Sequence, residues 1–132
     1  MKIRILILTV MFAISVACLA KADGSWLKKV PESARTRVNP YAGQPQAAAA
    51  GEILFENNCA RCHGEHADGK LSRPSLKSER VQHASDGELA WLLKNGNVFK
   101  GMPTWGALPE QERWQIITYI RSLSPVSTEV QQ

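Results

Sequence analysis

Apolar residues recur at helical spacing in three stretches of the chain, and no stretch alternates strictly with polar residues as a half-buried β-strand would. The first predicted helix covers about residues 48–58, the second about residues 86–95 and the third about residues 109–123. Asp86 is predicted as the N-cap of the second helix, and Pro109 suits the first position of the third. The pattern therefore predicts a small all-α fold of three to four helices.

An apolar run of a different kind begins the chain. Lys2 and Arg4 precede the run, which covers residues 5–19, and the Ala20-Lys21-Ala22 segment resembles a small-residue cleavage site. This order of features predicts a secretory signal peptide over residues 1–22. The run is too short for a comfortable transmembrane span, so we expect an exported protein located in the periplasm.

Cys18 leaves a second outcome open for the same segment. A cysteine after small residues near the end of an apolar run resembles a lipid-attachment site, although the preceding Ser15-Val16-Ala17 lacks the usual leucine. We expect membrane attachment only if Cys18 is lipidated. Cleavage after Ala22 would leave Cys59 and Cys62 as the remaining cysteines, and both lie in one motif, so no disulfide framework is expected.

Most of the excess of basic over acidic residues lies in the predicted signal peptide. The chain has 16 Lys and Arg against 12 Asp and Glu, a formal net charge of +4. Without Lys2, Arg4 and Lys21, 13 basic residues remain against 12 acidic ones, a net charge of +1. This small balance does not indicate binding to nucleic acid or to a membrane surface.

The rest of the chain divides into three predicted parts. Residues 23–50 form a Pro-rich extended arm or linker, residues 51–124 a helical domain, and residues 125–132 a C-terminal tail. Large apolar residues such as Trp26 lie along the arm, so it is predicted to be a strap over the domain or a flexible leader. Docking of a partner protein, aided by the adjacent Lys28 and Lys29, is the alternative.

The Cys59-x-x-Cys62-His63 motif follows the first predicted helix, and this spacing is typical of covalent c-type haem attachment. Two thiols at this spacing can each reach one vinyl group of a porphyrin, and the next residue, His63, then lies under the iron. A thioredoxin-like dithiol would open a helix after a strand. A zinc site would need two further ligands, for which only His66 and His83 remain.

His63 and Met102 are the predicted axial ligands. An imidazole ligand needs an acceptor for its other ring nitrogen, and the backbone carbonyl of Pro74 is the candidate. Met102 lies in a Gly- and Pro-rich segment between the second and third helices. Its thioether would favour ferrous iron and leave no open site for a substrate, which indicates an electron carrier and not an enzyme. Replacement of Met102 by His83 is the less favoured alternative.

These motifs together resemble those of class I monohaem cytochrome c of the short bacterial periplasmic type. The resemblance covers residues 51–124 and is carried by Gly51-x-x-x-Phe55, Cys59-x-x-Cys62-His63-Gly64, Pro74, Gly101-Met102-Pro103 and Tyr119 in the last helix. It implies one haem c bound covalently by Cys59 and Cys62, iron ligation by His63 and Met102, and Pro74 as the acceptor for His63. It also implies that the first and last helices cross at right angles, with Gly51 allowing close approach.

The expected function is transfer of single electrons between periplasmic redox proteins. A periplasmic dehydrogenase, a membrane oxidase or a cytochrome complex is the expected partner class. The alternative is a cytochrome subunit docked to a periplasmic quinoprotein dehydrogenase or terminal oxidase. A haem enzyme or gas sensor would require an open iron site and therefore a Met102 that does not bind.

Overall fold

The computed structural model describes residues 23–124, and this part of the chain is helical. It contains α1 (Glu32–Arg35), α2 (Pro45–Asn58), α3 (Ala60–His63), α4 (Glu79–His83), α5 (Asp86–Asn95) and α6 (Glu110–Ser122), with 3-10 helices at Ser25–Lys29 and Val98–Lys100. Two isolated β-bridges are the only extended pairing within residues 23–124. The predicted all-α fold class is confirmed. The predicted signal peptide, Cys18 and the predicted tail lie outside the described residues.

Helices α2 and α6 make the most extensive helix–helix contact. Gly51 lies against the backbone of Gln115, where an added Cβ would overlap the carbonyl group. One turn further along α2, the rings of Phe55 and Tyr119 pack with centroids 5.3 Å apart. This pairing fixes the end of α2, from which the cysteine motif follows.

The main core lies between α5, α6 and the segment before α2. Its buried members are mostly aliphatic and aromatic, and Ile116 and Ile117 of α6 are almost completely enclosed. A second, smaller cluster surrounds Phe55 and includes Ala60 and Ala67 beside the cysteine motif. The main cluster packs against Met102, and the smaller cluster packs against Cys59, so each supports one part of the predicted site.

The helix boundaries differ slightly from those predicted. Helix α2 begins at Pro45, three residues before the predicted start at Ala48, because proline suits the first turn and the alanines that follow favour helix. Ser85, and not Asp86, is the N-cap of α5. Its hydroxyl accepts from the backbone N–H of Glu88 at 3.1 Å, while the Glu88 carboxylate accepts from the Ser85 N–H at 2.7 Å.

Residues 23–44 are less extended than predicted and lie against the helices. Trp26 and Val30 are buried members of the main core cluster. Further along, the buried side chain of Asn39 donates to the Thr118 hydroxyl at 3.0 Å. These contacts agree with a strap over the domain, although the division of the chain at residue 50 remains a prediction.

Arg35 and Gly87 show how closely this segment is fitted to α5. The Arg35 guanidinium donates to the Glu88 carboxylate and to the Leu27 carbonyl oxygen. A Cβ at Gly87 would meet the carbonyl oxygens of Ala34, Arg35 and Arg37. The backbone of residues 34–37 therefore packs directly on the first turn of α5, where a larger side chain would separate them.

Candidate haem-binding site

The two motif cysteines lie where α2 ends and the short helix α3 begins. The Cys59 N–H donates to the Phe55 carbonyl at 2.7 Å, and the Cys59 carbonyl accepts from the His63 N–H at 3.0 Å. The thiols of Cys59 and Cys62 are free and half-buried. Burial, followed by the neighbouring Cys62, raises the pKa of Cys59 to about 11, so this thiol is protonated at neutral pH.

His63 ends α3, and one of its ring nitrogens already has a partner. Nδ1 lies 3.0 Å from the carbonyl oxygen of Pro74, which can only accept, so Nδ1 carries the proton. Burial lowers the pKa of His63, the hydrogen bond to Pro74 opposes this, and the charge of Arg73 lowers it further. The neutral imidazole is therefore favoured, and the lone pair of Nε2 is free for a metal.

The loop between His63 and Pro74 is held by backbone contacts. The Gly69 N–H donates to the His63 carbonyl at 2.7 Å, and the Leu76 N–H donates to the Ala67 carbonyl at 2.9 Å. Gly69 has a φ of 87° and lies so close to the backbone around Pro74 that a side chain would not fit. These contacts place the Pro74 carbonyl beside the histidine ring.

Met102 lies at the end of a closed turn after α5. Asn97 and Met102 exchange two backbone hydrogen bonds, with N–O distances of 2.9 and 3.1 Å. Gly96 leaves the helix with a φ of 69°, and a Cβ there would be 2.7 Å from the Pro103 backbone. The half-buried Met102 side chain packs against the main core cluster, as do Trp91 and Trp105.

Arg73 is a site residue that the sequence reasoning missed. Its Nη1 donates to the carbonyl oxygen of Lys100 at 2.9 Å. This bond joins the segment that carries Pro74 to the turn that carries Met102. No motif or periodicity marks Arg73, because the contact depends on how two loops meet.

The two other histidines lie away from these contacts. His66 is exposed in the loop after α3, and His83 is exposed at the end of α4. Among residues 23–124, no three His, Cys, Asp or Glu side chains form a group that could hold a metal ion.

The donor set fits a c-type haem. Two unpaired thiols three residues apart and an imidazole with one nitrogen engaged are the groups that covalent haem attachment uses, and the thioether of Met102 is a donor of a type that haem iron accepts. Large apolar side chains are exposed at both turns nearby, at Leu71 and at Val98 and Phe99. No helix within residues 23–124 is long and apolar enough to cross a membrane.

Residues 46–120 match the family model described as cytochrome C oxidase, cbb3-type, subunit III. The matched region contains the cysteine motif, Pro74 and Met102. The chain belongs to this cytochrome c family. Its cofactor is therefore one covalently bound haem c, and the predicted resemblance to class I monohaem cytochrome c is confirmed.

Individual relatives agree with the family assignment. The chain is 33% identical over 87 residues to cytochrome c-554(547) of Halothiobacillus neapolitanus, covering 58% of this chain and 96% of that protein. It is 36% identical over 86 residues to the cbb3-type cytochrome c oxidase subunit CcoP of Rubrivivax gelatinosus, covering 63% of this chain but only 28% of that subunit. The shared region is therefore a whole small cytochrome in one relative and a part of a larger subunit in the other.

A solved structure shares the fold. Cytochrome CL from the marine methylotrophic bacterium Methylophaga aminisulfidivorans MPT matches with a TM-score of 0.57 and 31% identity. The match covers 64% of this chain and 58% of that one. The helical arrangement of the matched part is therefore that of a cytochrome c.

Proposed function

We propose that this chain is a periplasmic single-electron carrier in which Cys59 and Cys62 hold the haem and His63 and Met102 are its axial ligands. The observation that carries the proposal is the hydrogen bond between His63 Nδ1 and the Pro74 carbonyl at 3.0 Å. It fixes the ring plane, leaves Nε2 free and increases the basicity of that nitrogen. The haem supplies the one-electron change of iron oxidation state when bound.

The proposed Met102 ligand favours electron transfer over catalysis. A thioether ligand favours the ferrous state, raises the reduction potential and occupies the position at which a substrate or gas would bind. The closed turn between Asn97 and Met102 supports this role because it holds the ligand on a short, internally bonded segment. An electron carrier, with no catalytic residue of its own, follows from such coordination.

The partners in this proposal are other redox proteins. Leu71 and Phe99 are exposed, in the two segments that precede Pro74 and Met102. Exposed apolar groups beside a redox centre suit a small, short-lived interface with a dehydrogenase, an oxidase or a cytochrome complex. Neither nucleic acid nor a membrane surface is needed, unless Cys18 carries a lipid.

The second candidate is a cytochrome subunit docked permanently to a larger complex. The relatives named as cbb3-type oxidase subunits favour it, since in those proteins the matched region is part of a longer chain. Co-purification separates the two candidates. A carrier would leave its partner during purification at moderate salt, whereas a docked subunit would remain bound.

Optical spectroscopy of the purified exported holoprotein tests the proposal. We expect a c-type spectrum, a weak red sulfur-to-iron charge-transfer band in the ferric form, and no spectral change with carbon monoxide in the ferrous form. Met102→Ala is the matched control and should lose the band and bind carbon monoxide. An unmodified protein that lacks the band and binds carbon monoxide would instead indicate an open iron, as in a haem enzyme or gas sensor.

A further inference from the structure

Arg73 is in contact with both segments that support the predicted axial ligands. It precedes Pro74, the acceptor for His63, and its own N–H donates to the Lys70 carbonyl at 2.8 Å. Its side chain leaves this tight turn and donates to the Lys100 carbonyl at 2.9 Å. Lys100 lies two residues before Met102, so one side chain spans the distance between the two ligand supports.

The surroundings of the guanidinium are shaped to receive it. Gly101 has a φ of 81°, and a Cβ at this position would lie 2.6 Å from Arg73 Nη1. Any side chain there would displace the guanidinium and also strain the backbone. The positive φ of Gly101 requires glycine, and the guanidinium of Arg73 lies directly against it.

We propose that Arg73 is a positioning residue that holds the Met102 turn beside the segment carrying Pro74. This inference rests on the proposed His63 and Met102 ligation. Arg73 touches neither iron ligand directly and acts through the Lys100 carbonyl. Its planar guanidinium directs its N–H groups at fixed angles, which makes the contact more specific than a lysine contact would be.

Lys100 has a second contact that completes the arrangement. Its Nζ lies 3.7 Å from the Asp23 carboxylate. Both of these side chains are substantially exposed, so this pair contributes little. The hydrogen bond from Arg73, unlike this pair, joins the turn to the segment that carries Pro74, so it is the contact whose removal should release the turn.

Imidazole binding to the ferric holoprotein measures how readily Met102 leaves the iron. The probe is neutral and competes with a methionine ligand, and its apparent affinity rises with the fraction of molecules in which that ligand is released. For Arg73→Gln we expect an apparent Kd about fivefold lower than for the unmodified protein, the change that loss of one ordinary hydrogen bond produces. Arg73→Lys should give an intermediate value.

Lys94→Gln is the matched control because it removes one positive charge from an exposed position on α5. It should bind imidazole like the unmodified protein. The denaturation midpoint of each variant is measured in parallel. A lower midpoint for Arg73→Gln with unchanged imidazole affinity would show a general structural role and overturn the inference.

The remaining outcomes separate this inference from the proposed function. If the unmodified ferric protein lacks the red sulfur band, the proposed ligation fails and the inference fails with it. If that band is present and Arg73→Gln binds imidazole as the unmodified protein does, only the role of Arg73 is overturned. Should Arg73→Gln not fold, the affinity of Arg73→Lys decides, and an unchanged value counts against the inference.

Discussion

Gly51 of α2 faces the Gln115 carbonyl of α6 with no space for a methyl group between them. Alanine at an interior helix position ordinarily gains about 1 kcal/mol over glycine. Here the overlap is with backbone, which cannot rotate away, so the cost of overpacking exceeds that gain. We expect Gly51→Ala to lower the free energy of unfolding by about 2 kcal/mol, measured by denaturant titration of the holoprotein.

Gln46→Ala is the control for this change because residue 46 is exposed on the same helix. Its effect should stay within about 0.5 kcal/mol. Equal stability of the Gly51→Ala variant and the unmodified protein would show that α2 and α6 can separate without loss.

Met102→His tests the predicted thioether ligand by keeping the iron six-coordinate with a different donor. Imidazole favours the ferric state relative to a thioether, so the reduction potential should fall by on the order of 0.2 V, within the range of roughly 0.8 V that axial ligands cover. Potentiometric titration of the purified variant measures this shift. His83→Gln, at an exposed position, should leave the potential unchanged. A large rise there would instead support His83 as the ligand, because loss of an imidazole donor disfavours the ferric state.

Arg35→Ala removes the cation that faces the buried carboxylate of Glu88. The Glu88 side chain is 12% exposed and would lose its contact with the Arg35 guanidinium. Because Arg35 itself is partly exposed, we expect a loss of about 2 kcal/mol, below the range for a fully buried pair. Denaturant unfolding measures it.

Glu32→Ala provides the comparison for Arg35. Glu32 also pairs with Arg35, at 3.9 Å, but its side chain is 82% exposed. Its removal should cost less than about 0.5 kcal/mol. Similar losses for both variants would contradict the conclusion that the contact with Glu88 holds α1 on α5.

Trp26→Ala tests whether residues 23–44 support the domain. Trp26 is 9% exposed and belongs to the main core cluster, so its truncation should cost about 3 kcal/mol in unfolding free energy. Val38→Ala, at a residue that is 82% exposed in the same segment, should cost almost nothing. A stable Trp26→Ala variant with weakened partner binding would favour the docking role for this segment instead.

The contact between Arg37 and Glu110 predicts a small acid sensitivity. The hydrogen bond from Arg37 lowers the pKa of Glu110 from its ordinary value of 4.5. A carboxyl with a lowered folded-state pKa stabilises the protein above its ordinary pKa and loses that effect as the pH falls through the lowered value. Both side chains are about half exposed, so the contribution stays below about 1 kcal/mol.

Glu110→Gln should therefore be slightly less stable than the unmodified protein at pH 7, and the difference should disappear well below pH 4.5. Unfolding curves at a series of pH values measure this. Glu56→Gln, at an exposed position on α2, controls for the loss of one negative charge. A difference that persists at low pH would mean that Glu110 acts by packing and not by its charge.

Sequence patterns predicted the helix ends that depend on residues close to one another in the chain. The first predicted helix ends at Asn58, directly before the cysteine motif, as expected. Helix α5 stops at Gly96, whose positive φ suits a helix C-terminus. The N-cap of α5 was misplaced by one residue because Ser85 and Asp86 are both good caps. Only the reciprocal bonds between Ser85 and Glu88 distinguish them.

The course of residues 23–44 could not be predicted from local patterns. Asn39 contacts Thr118, 79 residues away, and the Ser85 hydroxyl donates to the Arg35 carbonyl across 50 residues. A Pro-rich composition shows that such a segment is irregular but not what it packs against. Arg73 was missed because its partner is likewise distant in the chain, a backbone carbonyl in another loop.

The paired backbones of Asn97 and Met102 set a limit on how this loop can vary in length. The four residues between them close the turn, and Lys100 and Gly101 bond back to its first half. Insertion or deletion of one residue would shift the pairing and turn the Met102 side chain to the opposite face. The number of residues between α5 and Met102 is therefore constrained as tightly as the identity of Met102 itself. In this loop, a change of length should be more damaging than most substitutions.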